Sequence, residues 1–130
     1  MYTRILKSCV IVALGALAHA ALADVASAPA TRWHVAMHGS ATSDGQMQFR
    51  VTPHEGEPLM VNADIKQGRG ELFMARDLAE VFKAQLPKKR FKSEVIGSTL
   101  LVKAGPGEPD FALELVASSV GGTRVQVSAN

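Results

Sequence analysis

Cysteine is all but missing from this sequence: the only one is Cys9, close to the N-terminus. No disulfide can be drawn within the chain, so its fold must rest on the apolar core alone. No cysteine remains further along to act as a nucleophile, and other catalytic signatures are missing as well. There is no G-x-S-x-G elbow, no Walker loop and no H-E-x-x-H pair. KQGRG, Lys66 to Gly70, lacks the Lys-Ser/Thr ending of a phosphate loop and the parallel-sheet setting that such a loop needs. These absences argue against an enzyme, and no cofactor is expected.

A long apolar run is lacking everywhere except at the start. MYTRILK carries Arg4 and Lys7, and the apolar stretch SCVIVALGALAHAALA that follows ends in small side chains, the layout of a secretory signal peptide. Cleavage is expected after Ala23, with Ala21 and Ala23 as the small residues; Ala20 and Ala30 are alternative sites. A membrane span needs roughly twenty apolar residues, so no transmembrane anchor is expected after cleavage. Cys9 stands at the beginning of the apolar run, whereas a lipoprotein signal would carry its cysteine at the end. The mature chain is expected in the periplasm or outside the cell.

An excess of one charge is missing too, once the leader is set aside. The chain has 14 Lys and Arg against 12 Asp and Glu. Arg4 and Lys7 account for the difference. A nucleic-acid binder shows a net basic surface, so no nucleic-acid partner is expected. About a hundred residues remain, enough for one core. The expected plan is a signal peptide over 1–23, a disordered lead-in over 24–32 and a single α+β domain over 33–130.

What is present is periodicity. WHVAMH places Trp33, Val35 and Met37 on one face and His34, Ala36 and His38 on the other, and QMQFRVT does the same with Met47, Phe49 and Val51. With GSATSDG between them, the two predict a β-hairpin with one wet face. LMVNADI adds a strand with Leu59, Val61, Ala63 and Ile65 inward. After KQGRG the period becomes 3.6: Ala75, Leu78, Ala79, Phe82 and Leu86 form a stripe, widened by Met74 and Val81, opposite Arg76, Asp77, Glu80 and Lys83. Glu71 and Lys83 suit the two ends of the helix dipole, Pro87 stops the helix, and Gly70 offers no side-chain N-cap.

RFKSEVIGSTLLVKA then predicts two strands about a two-residue turn, with Gly97 in the first position of a type II′ geometry. That register pairs Val95 with Leu100, Ser93 with Val102 and Lys92 with Lys103. DFALELVAS, with Phe111, Leu113 and Leu115 inward, and TRVQVSA, with Val125 and Val127 inward, complete the order βββαββββ. The expected fold is α+β, a mainly antiparallel sheet with one amphipathic helix packed on it.

From about Val61 to Val127 the chain runs through a strand, a Gly-containing turn, the helix MARDLAEVFKAQL and FKSEVIGSTLLVKAGPGEPDFALELV. This half resembles the βαβββ modules of phage tail components and secreted bacterial surface proteins. The resemblance implies a packing or binding module without a catalytic centre. Trp33 to Thr52 lies outside it.

Candidate sites are few. His34 and His38 have the spacing that makes a metal pair on a helix, but four residues of strand span about 13 Å. Ordinary surface histidines are therefore expected; a copper or zinc site with His54, Met37, Met47 and Met60 is the weaker alternative. A triad drawn from His38 or His54, a serine and Asp44 or Asp64 is one that any small domain permits. Trp33 is expected as a core lid. The densest charge is a basic knot, Lys88, Lys89, Arg90 and Lys92, to which the hairpin register adds Lys103. Cations are favoured after a helix C-terminus, so a solvated helix exit competes with a site for an anionic surface or protein partner. The function expected is an exported, non-catalytic binding or structural module; the alternative is a small periplasmic inhibitor or immunity-type protein acting through its loops.

Overall fold

Alternating apolar side chains give each strand one buried face, and the computed structural model arranges those faces in two sheets around one core. It describes residues 28–129; the leader expected over 1–23 and residues 24–27 of the lead-in lie outside the described residues. In chain order the elements are β1 (Arg32–His38), β2 (Gly45–Pro53), β3 (Leu59–Ile65), α1 (Glu71–Gln85), β4 (Phe91–Ile96), β5 (Thr99–Ala104), β6 (Phe111–Ser118) and β7 (Arg124–Ala129). The order is βββαββββ and the class α+β, as expected. Order begins before Trp33: Ala30 and Phe111 exchange two backbone hydrogen bonds of 2.9 and 3.0 Å, and the Ala104 N–H donates to the Thr31 carbonyl.

The strands form two antiparallel sheets rather than one, β4-β5-β1-β7 and β3-β2-β6. The expected hairpin between β1 and β2 is therefore corrected. Their connection, residues 39–44, commits its backbone elsewhere: the Ala41 N–H donates to the Arg69 carbonyl and the Thr42 N–H to the Gly121 carbonyl, both at 2.9 Å. Gly39 N–H donates to the Glu71 carboxylate at 2.6 Å. With its backbone spent on other loops, the segment cannot fold back as a tight turn, and it carries the chain from one sheet to the other. The inner faces are nonetheless those expected, since Trp33, Val35, Met37, Met47, Phe49 and Val51 are all buried.

Helix α1 starts at Glu71 behind Gly70, which supplies no side-chain cap, and ends at Leu86, whose N–H donates to the Phe82 carbonyl. Met74, Ala75, Leu78, Ala79 and Phe82 are its buried stripe. The helix lies against β3 of one sheet and against β4, β1 and β5 of the other, so it closes the flank between them. Phe82 meets Phe49 edge-on at 5.3 Å, and Phe91 of β4 meets Phe111 of β6 at 5.1 Å, tying sheet to sheet. The buried Trp33 indole N–H donates to the Phe111 carbonyl at 2.8 Å. That bond gives the only tryptophan a partner for its one polar atom.

Candidate functional site

The hairpin of β4 and β5 has the register read from the sequence, with Lys92 opposite Lys103, Ser93 opposite Val102 and Val95 opposite Leu100. Gly97 has a φ of +61°, the positive value that the first position of such a turn requires. β5 also pairs with β1, and there Lys103 stands opposite Arg32. Lys92, Lys103 and Arg32 thus form one row across three adjacent strands, on the face turned away from the core. Neighbouring strands are about 4.8 Å apart, and like charges placed directly opposite one another are destabilising.

Only part of this repulsion is relieved. Lys103 Nζ lies 2.9 Å from Glu94 Oε2, on the same face of the hairpin. Among the described residues, Lys92 and Arg32 make no ion pair. The three cations border a shallow depression of about 360 Å³, completed by Thr31, Ala104 and Pro106.

Lys92 also borders a second, larger concavity. Glu80, Lys83 and Ala84 of α1, Lys88 of the turn and Phe91, Lys92 and Ser93 of β4 line a groove of about 490 Å³. Its floor is the apolar Phe91 and Ala84, and its rim is cationic. The depression and the groove meet at Lys92, so a basic strip runs from Lys83 through Lys88, Lys92 and Lys103 to Arg32.

The five residues expected to form the basic patch do not all join this strip. Lys88, Lys92 and Lys103 do. Lys89 is exposed, lines neither concavity, and has its carbonyl pressed against Gly105, where any Cβ would collide with it. Arg90 points elsewhere: its Nε is 3.6 Å from Glu108, its Nη2 donates to the Glu55 carbonyl, and it stacks over the Phe91 ring at 5.7 Å. It serves the fold. Arg32 and Lys83 belong to the strip and were not among the expected site residues. The signal for Arg32 was its place beside Trp33 on the outward face of β1, but its neighbours depended on a β1–β5 pairing that the expected hairpin had hidden.

His38 Nε2 is 3.2 Å from the Gln126 amide oxygen, Asp44 accepts from the Gln67 N–H at 2.7 Å, and Asp64 accepts from Gln46 Nε2 at 2.8 Å. His38, Asp44 and Asp64, three of the residues drawn into a triad, thus bond to other groups. Among the described residues no three His, Cys, Asp or Glu side chains are grouped to hold a metal ion, and no helix is long and apolar enough to cross a membrane.

One exposed feature escaped the sequence reading. Phe73, on the outer face of α1, is 48% exposed, and the guanidinium groups of Arg69 and Arg76 lie 5.0 and 5.8 Å from its ring centroid. Arg69 is itself held by two hydrogen bonds to Asp77, at 2.8 and 2.9 Å. Hydrogen bonding to Asp77 pushes its pKa up further; desolvation opposes the rise and the charge of Asp77 adds to it. Both guanidinium groups lie over the ring, which suits a surface aromatic in water.

No protein-family model matches the chain, and a search of the curated proteins finds no match.

Proposed function

We propose that this chain is an exported, non-catalytic binding module that holds an anionic partner against the basic strip. The observation that carries this reading is the row Lys92, Lys103 and Arg32. A sheet face shaped by stability alone would alternate signs or place Thr or Glu in such a row, because facing cations cost stability. Here three cations meet on a chain with no excess of positive charge beyond its leader. The field is therefore local, and it would draw an acidic partner with strong dependence on salt. The resemblance of the Val61 to Val127 half to βαβββ packing or binding modules points the same way. The export part of the reading rests on Arg4, Lys7 and the apolar run that ends at Ala23.

Two measurements test the two parts. Replacing Arg32, Lys88 and Lys92 together with Gln should lower retention on an anionic matrix at low salt while leaving the melting temperature unchanged or slightly raised. If the triple variant is retained like the parent, the strip is a solvated face and the binding reading fails. N-terminal sequencing of the exported protein should begin at or near Asp24. Recovery of an intact Met1 in a membrane fraction would overturn export by cleavage.

A further inference from the structure

We propose that the groove between the C-terminal half of α1 and β4 takes an extended acidic peptide segment of a partner protein, added as a new strand to the open edge of β4. This inference rests on the anion-binding reading above and goes beyond it by naming the form of the ligand.

β4 is an edge strand, paired with β5 alone. A two-residue turn makes the flanking pair, Ile96 and Thr99, a hydrogen-bonded one, and the bonded pairs then recur at every second position. Glu94 and Lys92 therefore turn their peptide groups toward β5. Two flanking bonds fix the same parity: the Gly105 N–H donates to the Arg90 carbonyl on the β4 side, and the Ala104 N–H to the Thr31 carbonyl on the β1 side. The N–H and C=O groups of Ser93 and Val95 consequently point outward from the sheet, and Ser93 lines the groove. Among the described residues no turn, loop or side chain bonds to them, whereas the Phe91 N–H is taken by the Pro87 carbonyl.

The other sheet treats its edge differently. Beside β3, the Gln85 side chain accepts from the Asn62 N–H and donates to the Asn62 carbonyl, both at 3.0 Å. One amide thus stands in for a neighbouring strand, and the helix that supplies it covers the edge. The same helix also packs on β4, but among the described residues it sends no side-chain bond to that edge, and a groove lies between the two, of a size within the range of ligand clefts. An uncovered row of backbone groups beside an apolar floor is the setting in which a peptide binds by strand addition.

Charge selects the occupant. Lys83, Lys88 and Lys92 border the groove, with Glu80 as its one acid, and none of the three lysines makes an ion pair among the described residues. A second copy of this chain pairing through β4 would bring those lysines against their own counterparts. An extended segment alternating carboxylates with small apolar side chains meets both demands, with acids reaching the lysines and apolar groups resting on Phe91 and Ala84.

The probe is a short synthetic peptide alternating aspartate with valine, added to the mature chain, with amide hydrogen exchange and fluorescence anisotropy as readouts. The control has the same sequence with alternate backbone amides methylated, which keeps the charge and removes the strand bonds. Binding should slow exchange at Ser93 and Val95, and methylation should weaken affinity by about tenfold or more. Ser93→Pro supplies a second control, because its missing N–H faces the open edge, where proline is tolerated; it should keep the melting temperature near the parent's and lose peptide binding. Binding that survives methylation and leaves Ser93 and Val95 unprotected overturns strand addition while the anion-binding reading stands. Failure of the peptide and of every anionic matrix to bind overturns both.

Discussion

Phe82→Ala should lower the free energy of unfolding by about 3–5 kcal/mol, the range for truncating a buried phenylalanine. Phe82 has no exposed surface, and it is the last large side chain of the α1 stripe before Leu86. Its ring meets Phe49 of β2 edge-on at 5.3 Å, a geometry worth roughly 0.5–1.5 kcal/mol beyond area burial. The site cannot collapse easily around the missing ring. Phe49 is fixed in the middle strand of its sheet, between β3 and β6, and the helix is pinned at its far end by the Gln85 amide on Asn62. Glu80→Ala, on the exposed face of the same helix, should change stability by no more than about 0.5 kcal/mol. Urea unfolding of both variants checks the pair; equal effects would mean that the helix buries another face.

That helix face was legible in the sequence because a helix is a local object. Its stripe, its stop at Pro87 and its bare N-terminus at Gly70 all follow from the order of a few adjacent residues. The β4–β5 hairpin was legible for the same reason: a two-residue turn fixes the register of both strands. Its prediction of Lys92 opposite Lys103 therefore carried straight into the site. The inner and outer faces of β1 and β2 were also readable, since alternation alone decides them.

The partners of β1 were not readable. Residues 39–44 look like a turn, and only the distant carbonyls of Arg69 and Gly121 and the carboxylate of Glu71 reveal that they form part of a three-loop knot. Once β1 pairs with β5, Arg32 falls in line with Lys103, and a feature read as two facing lysines becomes a row of three cations. Likewise, Gln85 reads as a polar residue near a helix end, and nothing in its neighbourhood shows that its amide covers the β3 edge. Local rules gave the elements and long-range pairing gave the site. The same division explains why Arg90, central to the basic knot in sequence, drops out of it: Glu108 and the Glu55 carbonyl lie on loops far from it along the chain.

Gly122→Ala should destabilise by about 2–5 kcal/mol, combining roughly 1–2 kcal/mol for a side chain held at left-handed φ with about 1–3 kcal/mol for overpacking. Gly122 has a φ of +79°, and a Cβ built there would stand 2.6 Å from the Ser40 carbonyl oxygen and 2.5 Å from Thr42 Cγ2. The threonine methyl could swing away, but the carbonyl belongs to the backbone of the loop after β1. Moving it strains the bond from the Thr42 N–H to the Gly121 carbonyl, and it disturbs the close approach of the Gly122 carbonyl to Gly39. Gly39 in turn donates to Glu71, the first residue of α1. One methyl group therefore presses on the loop after β1, the start of β7 and the start of the helix at once. Gly56→Ala separates the two causes: Gly56 has a φ of +101° with nothing within 4 Å of the added Cβ, so it should cost only the conformational part, about 1–2 kcal/mol. Paired urea melts decide the matter. A Gly122→Ala loss no larger than that of Gly56→Ala would show that the knot yields to a side chain, and the close approach of the loops would then contribute nothing to holding the two sheets and the helix together.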